Sequence, residues 1–348
     1  MNRYRYIDVL RGLAVLGVLA VHCAQNMDMG FSWTLNRLTS IGEKGVQLFF
    51  MLSAVTLMLS HRSRKLEMSK TSNFYLRRFF RIAPMYYLAI VFYNFIFNSY
   101  SVEQKWTVLS NFLFVHGFSP YWINQGVRGG WSIGVEMLFY LFFPLICIFV
   151  SNLNRAIVFT VFAFLLRIVV FLYFKEHPIM GDIGLWGDFL KYNFINQLPV
   201  FALGLILYFL IYDNDQEASG AVFLLLTVLV FFIVIVPVVP NDFSVEIALF
   251  MLVYSLAMSR SVILINTPLA FIGKLSFSIY LVHFPVGSAF DEMKLQYLFN
   301  HAAFGFFFFY LSVIAMSAVI ASITYYGVER PMVQFCNRMI ARKEGRME

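Results

Sequence analysis

Two polar residues interrupt the apolar stretch LRGLAVLGVLAVH near the start of the chain, Arg11 and, eleven positions later, His22. On a helix that interval is three turns plus about 20°, so the two side chains share a face, about 16 Å apart along the axis. Asp8 lies one turn before Arg11 on the same face, and the row Asp8, Arg11, Val15, Val18, His22 runs the length of the segment. An ionised group at the bilayer centre costs roughly 2.5–3.5 kcal/mol or more, which turns this row away from lipid and toward a polar interior. One reading pairs Arg11 with Asp8 near the inner headgroups and leaves His22 as an interfacial cap. The other makes His22 a general base, since an imidazole titrates near neutrality and can take the proton of a hydroxyl.

Further polar residues fall at matching depths. FFMLSAV places Ser53 near the middle of a second apolar run, although a serine hydroxyl can satisfy itself on its own helix. GGWSIGVEMLFYLFFPL carries Glu136 about two turns into another, and a lone buried carboxylate needs a partner. KLSFSIYLVHFP carries Ser276, Ser278, Tyr280 and His283; Tyr280 suits an interfacial belt, whereas His283 lies deeper. Arg167 is another embedded charge able to partner a carboxylate. NFYLRRFFRIAPMYYLAI gathers Arg77, Arg78 and Arg81 within about one turn, with Arg77 and Arg81 on one face. Planar guanidinium groups suit phosphate oxygens, and the same cluster could equally anchor the chain to anionic lipid. Cys23, one position beyond His22, points about 100° away from the Arg11–His22 face.

The elements that position these groups are membrane helices. Of 348 residues 60% are hydrophobic and 13% charged, a composition outside the range of soluble domains. Apolar runs near 7–26, 43–60, 82–98, 131–150, 156–174, 193–211, 220–239, 243–259, 274–290 and 302–325 predict an all-α, polytopic protein of about ten transmembrane helices. A weaker run, 103–118, is short and carries Asn111 and His116, and it reads as a re-entrant or interfacial piece. Lys and Arg collect at the N-terminus, in the loop after the second span holding Arg62, Arg64, Lys65, Lys70, Arg77, Arg78 and Arg81, and in the tail from about residue 326. With ten spans all three lie on one side, so both termini are predicted to be cytoplasmic. The acidic loop Asp213–Glu217 fits that side least well. The net charge of +7 is accounted for by topology, with no need of nucleic acid. The first span reads as retained rather than as a cleaved signal, because Asp8 and Arg11 interrupt it and no small-residue cleavage pattern follows. Cys23, Cys147 and Cys336 are scattered and predict neither a disulfide framework nor a metal site. No repeat or linker divides residues 1–348, which read as one membrane-embedded domain.

The ordered motifs resemble those of the acyltransferase 3 family of integral membrane acyltransferases, which includes O-antigen, exopolysaccharide and Nod-factor O-acetylases. The matching elements are Arg11 with His22, FFMLS ending at Ser53, RRFFRIAPMYY from Arg77, WSIGVE ending at Glu136, SIYLVH ending at His283, and VERP from Val328 to Pro331. They span nearly the whole chain. Ala54 stands where the family usually has glycine, which removes no reactive group.

The resemblance implies transfer of an acyl group, most often acetyl, from a cytoplasmic acyl-CoA to a hydroxyl of a glycan or lipid-linked glycan. It implies a multi-pass protein of the inner (cytoplasmic) membrane that needs acyl-CoA as co-substrate and no metal. Arg77, Arg78 and Arg81 are then expected to hold the donor's phosphates with Ser53 in the donor set. Arg11, His22, Glu136 and His283 are the expected catalytic group, His22 as base and His283 positioning the acceptor or acting as a second acid/base. A covalent acyl-enzyme on Ser53 has no neighbouring histidine in sequence to support it. The rival is a secondary transporter or exporter, which would also line a pathway with buried charges. Inverted repeats are its usual mark. Here the embedded charges crowd the first 140 residues while 193–260 is nearly plain apolar, so the halves do not mirror each other.

Overall fold

The computed structural model describes residues 4–25, 39, 41–64, 66–96, 102–213, 241–258, 265–295 and 302–345. All regular elements among the described residues are helical. They are α1 (Arg5–Gln25), α2 (Gly45–Ser63), α3 (Lys70–Ile96), α4 (Val102–Phe112), a 3₁₀ turn (His116–Phe118), α5 (Gly130–Phe149), α6 (Leu153–Glu176) and α7 (Ile183–Tyr192). After these come α8 (Phe194–Tyr212), α9 (Asn241–Met258), α10 (Thr267–Glu292), α11 (Ala302–Thr324), a π-helical turn (Tyr325–Glu329) and α12 (Arg330–Lys343). Among the described residues six segments are long and apolar enough to cross a membrane: Arg5–Gln25, Gly130–Phe149, Leu153–Glu176, Ile183–Tyr212, Thr267–Glu292 and Phe304–Lys343. Gln47, His61 and Arg62 make the ends of α2 polar, and α3 opens on the polar residues Lys70 to Asn73 and carries three arginines before its apolar part. The expected span 220–239 and the acidic loop beyond Asp213 lie outside the described residues. The run 103–118 becomes α4 and the 3₁₀ turn, and α4, at 11 residues, is too short to cross.

The helices gather into two compact units, each drawn from two stretches of chain: Met1–Val55 with Leu207–Ile323, and Thr56–Ile206 with Thr324–Glu348. In the first, α1 and α10 lie against each other with almost no side chain between them. A Cβ on Gly12 would strike the Leu269 carbonyl, and one on Gly273 would strike the Asp8 carbonyl. Small residues at a crossing let helix backbones approach this closely. Tyr310 of α11 donates to the Leu16 carbonyl at 2.9 Å and ties a third helix to the pair. Gly273→Ala is therefore expected to force α1 and α10 apart at an overpacking cost of about 1–3 kcal/mol. A fall in the thermal midpoint of the purified protein checks this, and an unchanged midpoint would mean that the crossing relaxes freely.

In the second unit α3 begins about three turns before the expected start of its apolar span at Ile82, so the arginine cluster lies within the helix. A helix start leaves N–H groups unsatisfied, and a carboxylate from the far end of the chain meets them here. Glu344, just past α12, accepts from the Met68 and Ser69 amides at 3.0 and 3.1 Å and from Asn73 Nδ2 at 2.8 Å. Phe74 stacks on Phe143 at 5.4 Å and Phe139 on Phe201 at 4.0 Å, packing α3 and α8 against α5.

Candidate active site

The first unit brings His22 and His283 together. Their rings lie 5.3 Å apart, and Phe284 packs against both at 4.2 and 4.3 Å. His22 is the more accessible of the two, while His283 is only 2% exposed. Each ring has its tautomer set by an oxygen that can only accept. His22 Nδ1 donates to Gln25 Oε1 at 2.8 Å, and His283 Nδ1 donates to the Tyr280 carbonyl at 2.7 Å. In the neutral imidazole the other nitrogen then carries a lone pair. In both rings Nε2 is thus the lone-pair nitrogen, and that of His283 is buried with no hydrogen-bond partner among the described residues. Arg11 lies on α1 beside the Gly12–Gly273 crossing, and both it and Asp8 are partnered. Ser53 is buried on α2 in this same unit. Sequence reading missed Gln25, which the three-residue interval from His22 places one helical turn away. It also missed Glu246, a carboxylate only 4% exposed on α9, inside the stretch read as plain apolar.

The second unit holds the arginines and Glu136. Arg77 makes a two-pronged pair with Glu67, Nη1 to Oε1 at 3.1 Å and Nη2 to Oε2 at 2.7 Å. Arg81 Nη1 lies 3.3 Å from Oε1 of Glu329, which is 1% exposed and closes the π-helical turn. π-helical turns often reshape a helix at functional sites, and this one presents the glutamate of VERP to Arg81. Arg78 is different: its guanidinium lies 5.6 Å from the centres of both the Phe74 and Tyr140 rings, and its Nε is buried without an acceptor among the described residues. Tyr140, one turn beyond Glu136 on α5, donates to Glu136 Oε1. Neither Glu67, Glu329 nor Tyr140 had a role assigned from sequence, although Tyr140 follows Glu136 by one helical turn.

The start of α5 is held by the short segment before it. Tyr86 donates to Asn111 at 2.6 Å, and His116 Nε2 donates to the Gly130 carbonyl at 2.9 Å. A Cβ on Gly130 would come 2.7 Å from the Tyr86 hydroxyl, and one on Gly134 would come 2.6 Å from His116 Nε2. The glycines of GGWSIG thus let α4 and the 3₁₀ turn buttress the helix that carries Glu136. Asn111 and His116, the residues that weakened 103–118 as a span, are buried there as props.

The Glu67–Arg77 pair has a consequence for stability. Burial alone pushes the Glu67 carboxyl up, but the Arg77 guanidinium and the Asn73 amide override it and hold the carboxyl below its ordinary value. A carboxyl depressed in the folded state stabilises the fold above its ordinary range, and that contribution is lost as pH falls through the folded value. With Glu67 only 5% exposed, Arg77→Ala removes its two-pronged partner and leaves it Asn73 and, at 3.7 Å, Arg64, and it is expected to cost about 1.5–3 kcal/mol at neutral pH. Denaturant unfolding of parent and variant checks this, and the difference should shrink below pH 4.5, the ordinary value.

The model of the acyltransferase 3 family, described as acyltransferase domain, matches residues 4–326. The O-acetyltransferase OatA of Staphylococcus aureus is 25% identical over 94% of this chain and 56% of its own length. The peptidoglycan O-acetyltransferase OatA of Listeria monocytogenes is 29% identical over 40% of this chain and 23% of its own. A putative O-acetyltransferase of S. aureus is 23% identical over 99% of this chain and 58% of its own. The chain thus spans little more than half the length of the staphylococcal relatives. No solved structure matches it.

Proposed function

We propose, on the premise that this chain belongs to the acyltransferase 3 family, that it moves an acetyl or other acyl group from acyl-CoA to a hydroxyl of a cell-envelope glycan. The observation that carries the reading is the histidine pair, each ring with Nδ1 tied to an oxygen and Nε2 as its lone-pair nitrogen. His22, the accessible member, takes the proton of the acceptor hydroxyl. The alkoxide attacks the thioester carbonyl, and the CoA thiolate leaves and recovers the proton from the His22 imidazolium. The products are the glycan ester and free CoA. His283, buried beside it, orients the acceptor or shares the proton through its own Nε2.

The donor's phosphates are held by the arginine set of the second unit. Arg78 leads it, because Arg77 already holds Glu67 and Arg81 lies beside the Glu329 carboxylate. Acetyl is the favoured group because the relatives are O-acetyltransferases, and a peptidoglycan-type glycan is the favoured acceptor because one of them is so described. The ten-span arrangement with cytoplasmic termini in the inner membrane belongs to this reading, supported by the basic loops at Arg62–Lys70 and in α12. The test is purified protein in liposomes with labelled acetyl-CoA and a glycan oligosaccharide. Label appearing as ester on the glycan supports the reading. Label that stays on CoA while the oligosaccharide crosses the bilayer would favour a transporter.

A further inference from the structure

We infer that Tyr140 is a positioning residue of the donor site: its hydroxyl holds the Glu136 carboxylate off Arg78 and so keeps that guanidinium open to an anionic ligand. The inference rests on the reading of Arg78 as the leading phosphate contact. Of the three clustered arginines, Arg77 is closed by Glu67 in a two-pronged pair, and Arg81 has the Glu329 carboxylate 3.3 Å away. Arg78 also has a carboxylate within electrostatic reach, that of Glu136, yet no ion pair joins them among the described residues. Tyr140 touches both. Its ring covers one side of the guanidinium, Phe74 lies 5.6 Å away as well, and its hydroxyl occupies Glu136 Oε1.

A guanidinium flanked by two aromatic rings is favoured electrostatically without losing any N–H to them. Its five donors point outward in the plane, which is the geometry that grips phosphate oxygens. A buried Nε with no acceptor is costly unless a ligand supplies one. Glu136 held at a distance keeps the site's charge in balance when it is empty and does not compete directly for the guanidinium. Released from Tyr140, the same carboxylate would swing onto Arg78 and close it, as Glu67 closes Arg77.

The experiment is binding of CoA to the full chain in nanodiscs, measured by calorimetry on the parent, Tyr140→Phe, Glu136→Gln, the double variant and Arg78→Ala. Tyr140→Phe keeps the ring and loses the hydroxyl, so CoA binding should weaken about tenfold, the effect of one charge-assisted contact closed off. Adding Glu136→Gln to it removes the competing charge and should restore binding to near the parent's. Glu136→Gln alone should bind CoA at least as tightly as the parent. Parent-like binding by Tyr140→Phe, no recovery in the double variant, or weaker binding by Glu136→Gln alone would each overturn the inference. Arg78→Ala separates the two readings. If it binds CoA normally, Arg78 is no donor contact and both fall; if it loses CoA while Tyr140→Phe does not, only the role of Tyr140 falls. A merely structural tyrosine would not be rescued by a second substitution.

Discussion

His22→Ala is expected to lower acyl transfer by about 10²- to 10⁴-fold, the usual contribution of a positioned general base, while CoA still binds as in the parent. The expectation follows from the ring's surroundings. Nδ1 is fixed by Gln25, Nε2 is the lone-pair nitrogen, and the ring is more accessible than that of His283. Gln25→Leu should reproduce part of the defect, because it frees the tautomer that the Gln25 oxygen selects. His283→Ala opens space beside Phe284 and removes the buried second imidazole, so its defect should mix lost turnover with lost stability. Transfer rates measured at saturating acyl-CoA, beside CoA binding by calorimetry, resolve these cases. Turnover by His22→Ala close to the parent's would move the base to His283.

Arg78→Ala is expected to weaken CoA binding by about tenfold to a hundredfold, the loss of a charge-assisted contact worth roughly 1.5–3 kcal/mol. Among the three clustered arginines it is singled out because its guanidinium has rings, rather than carboxylates, for neighbours. Arg81→Ala should act differently, leaving Glu329 buried at the π-helical turn and lowering stability before it lowers affinity. The check is a comparison of CoA dissociation constants with unfolding midpoints for the two variants. Equal losses of both quantities in both variants would return the cluster to lipid anchoring.

Much of this architecture was legible in the sequence because a bilayer forces long apolar helices, and hydropathy reads those directly. The expected spans 7–26, 131–150 and 193–211 became Arg5–Gln25, Gly130–Phe149 and Phe194–Tyr212. The shared face of Arg11 and His22 needed only the helical repeat. The early start of α3 was not legible: the carboxylate that meets its first amides is Glu344, 276 positions away from Met68. The closing of Arg81 by Glu329 depends in the same way on a distant part of the chain, and on a π turn that no periodicity announces. Glu246 escaped because averaging over an apolar window hides one carboxylate. The glycines at 12 and 273 read as ordinary members of apolar runs, and only the crossing of α1 with α10 gives them their meaning.

The central claim is that His22 activates an acceptor hydroxyl for attack on an acyl-CoA. The most direct measurement is the pH dependence of labelled acetyl transfer to a glycan oligosaccharide, at saturating acetyl-CoA, for the parent and for His22→Gln with CoA binding shown to be intact. A base is active when unprotonated, so the parent's rate should rise with pH and then level off. The glutamine variant should lose both the rate and that rise. A variant that keeps the rise and most of the rate would contradict the account.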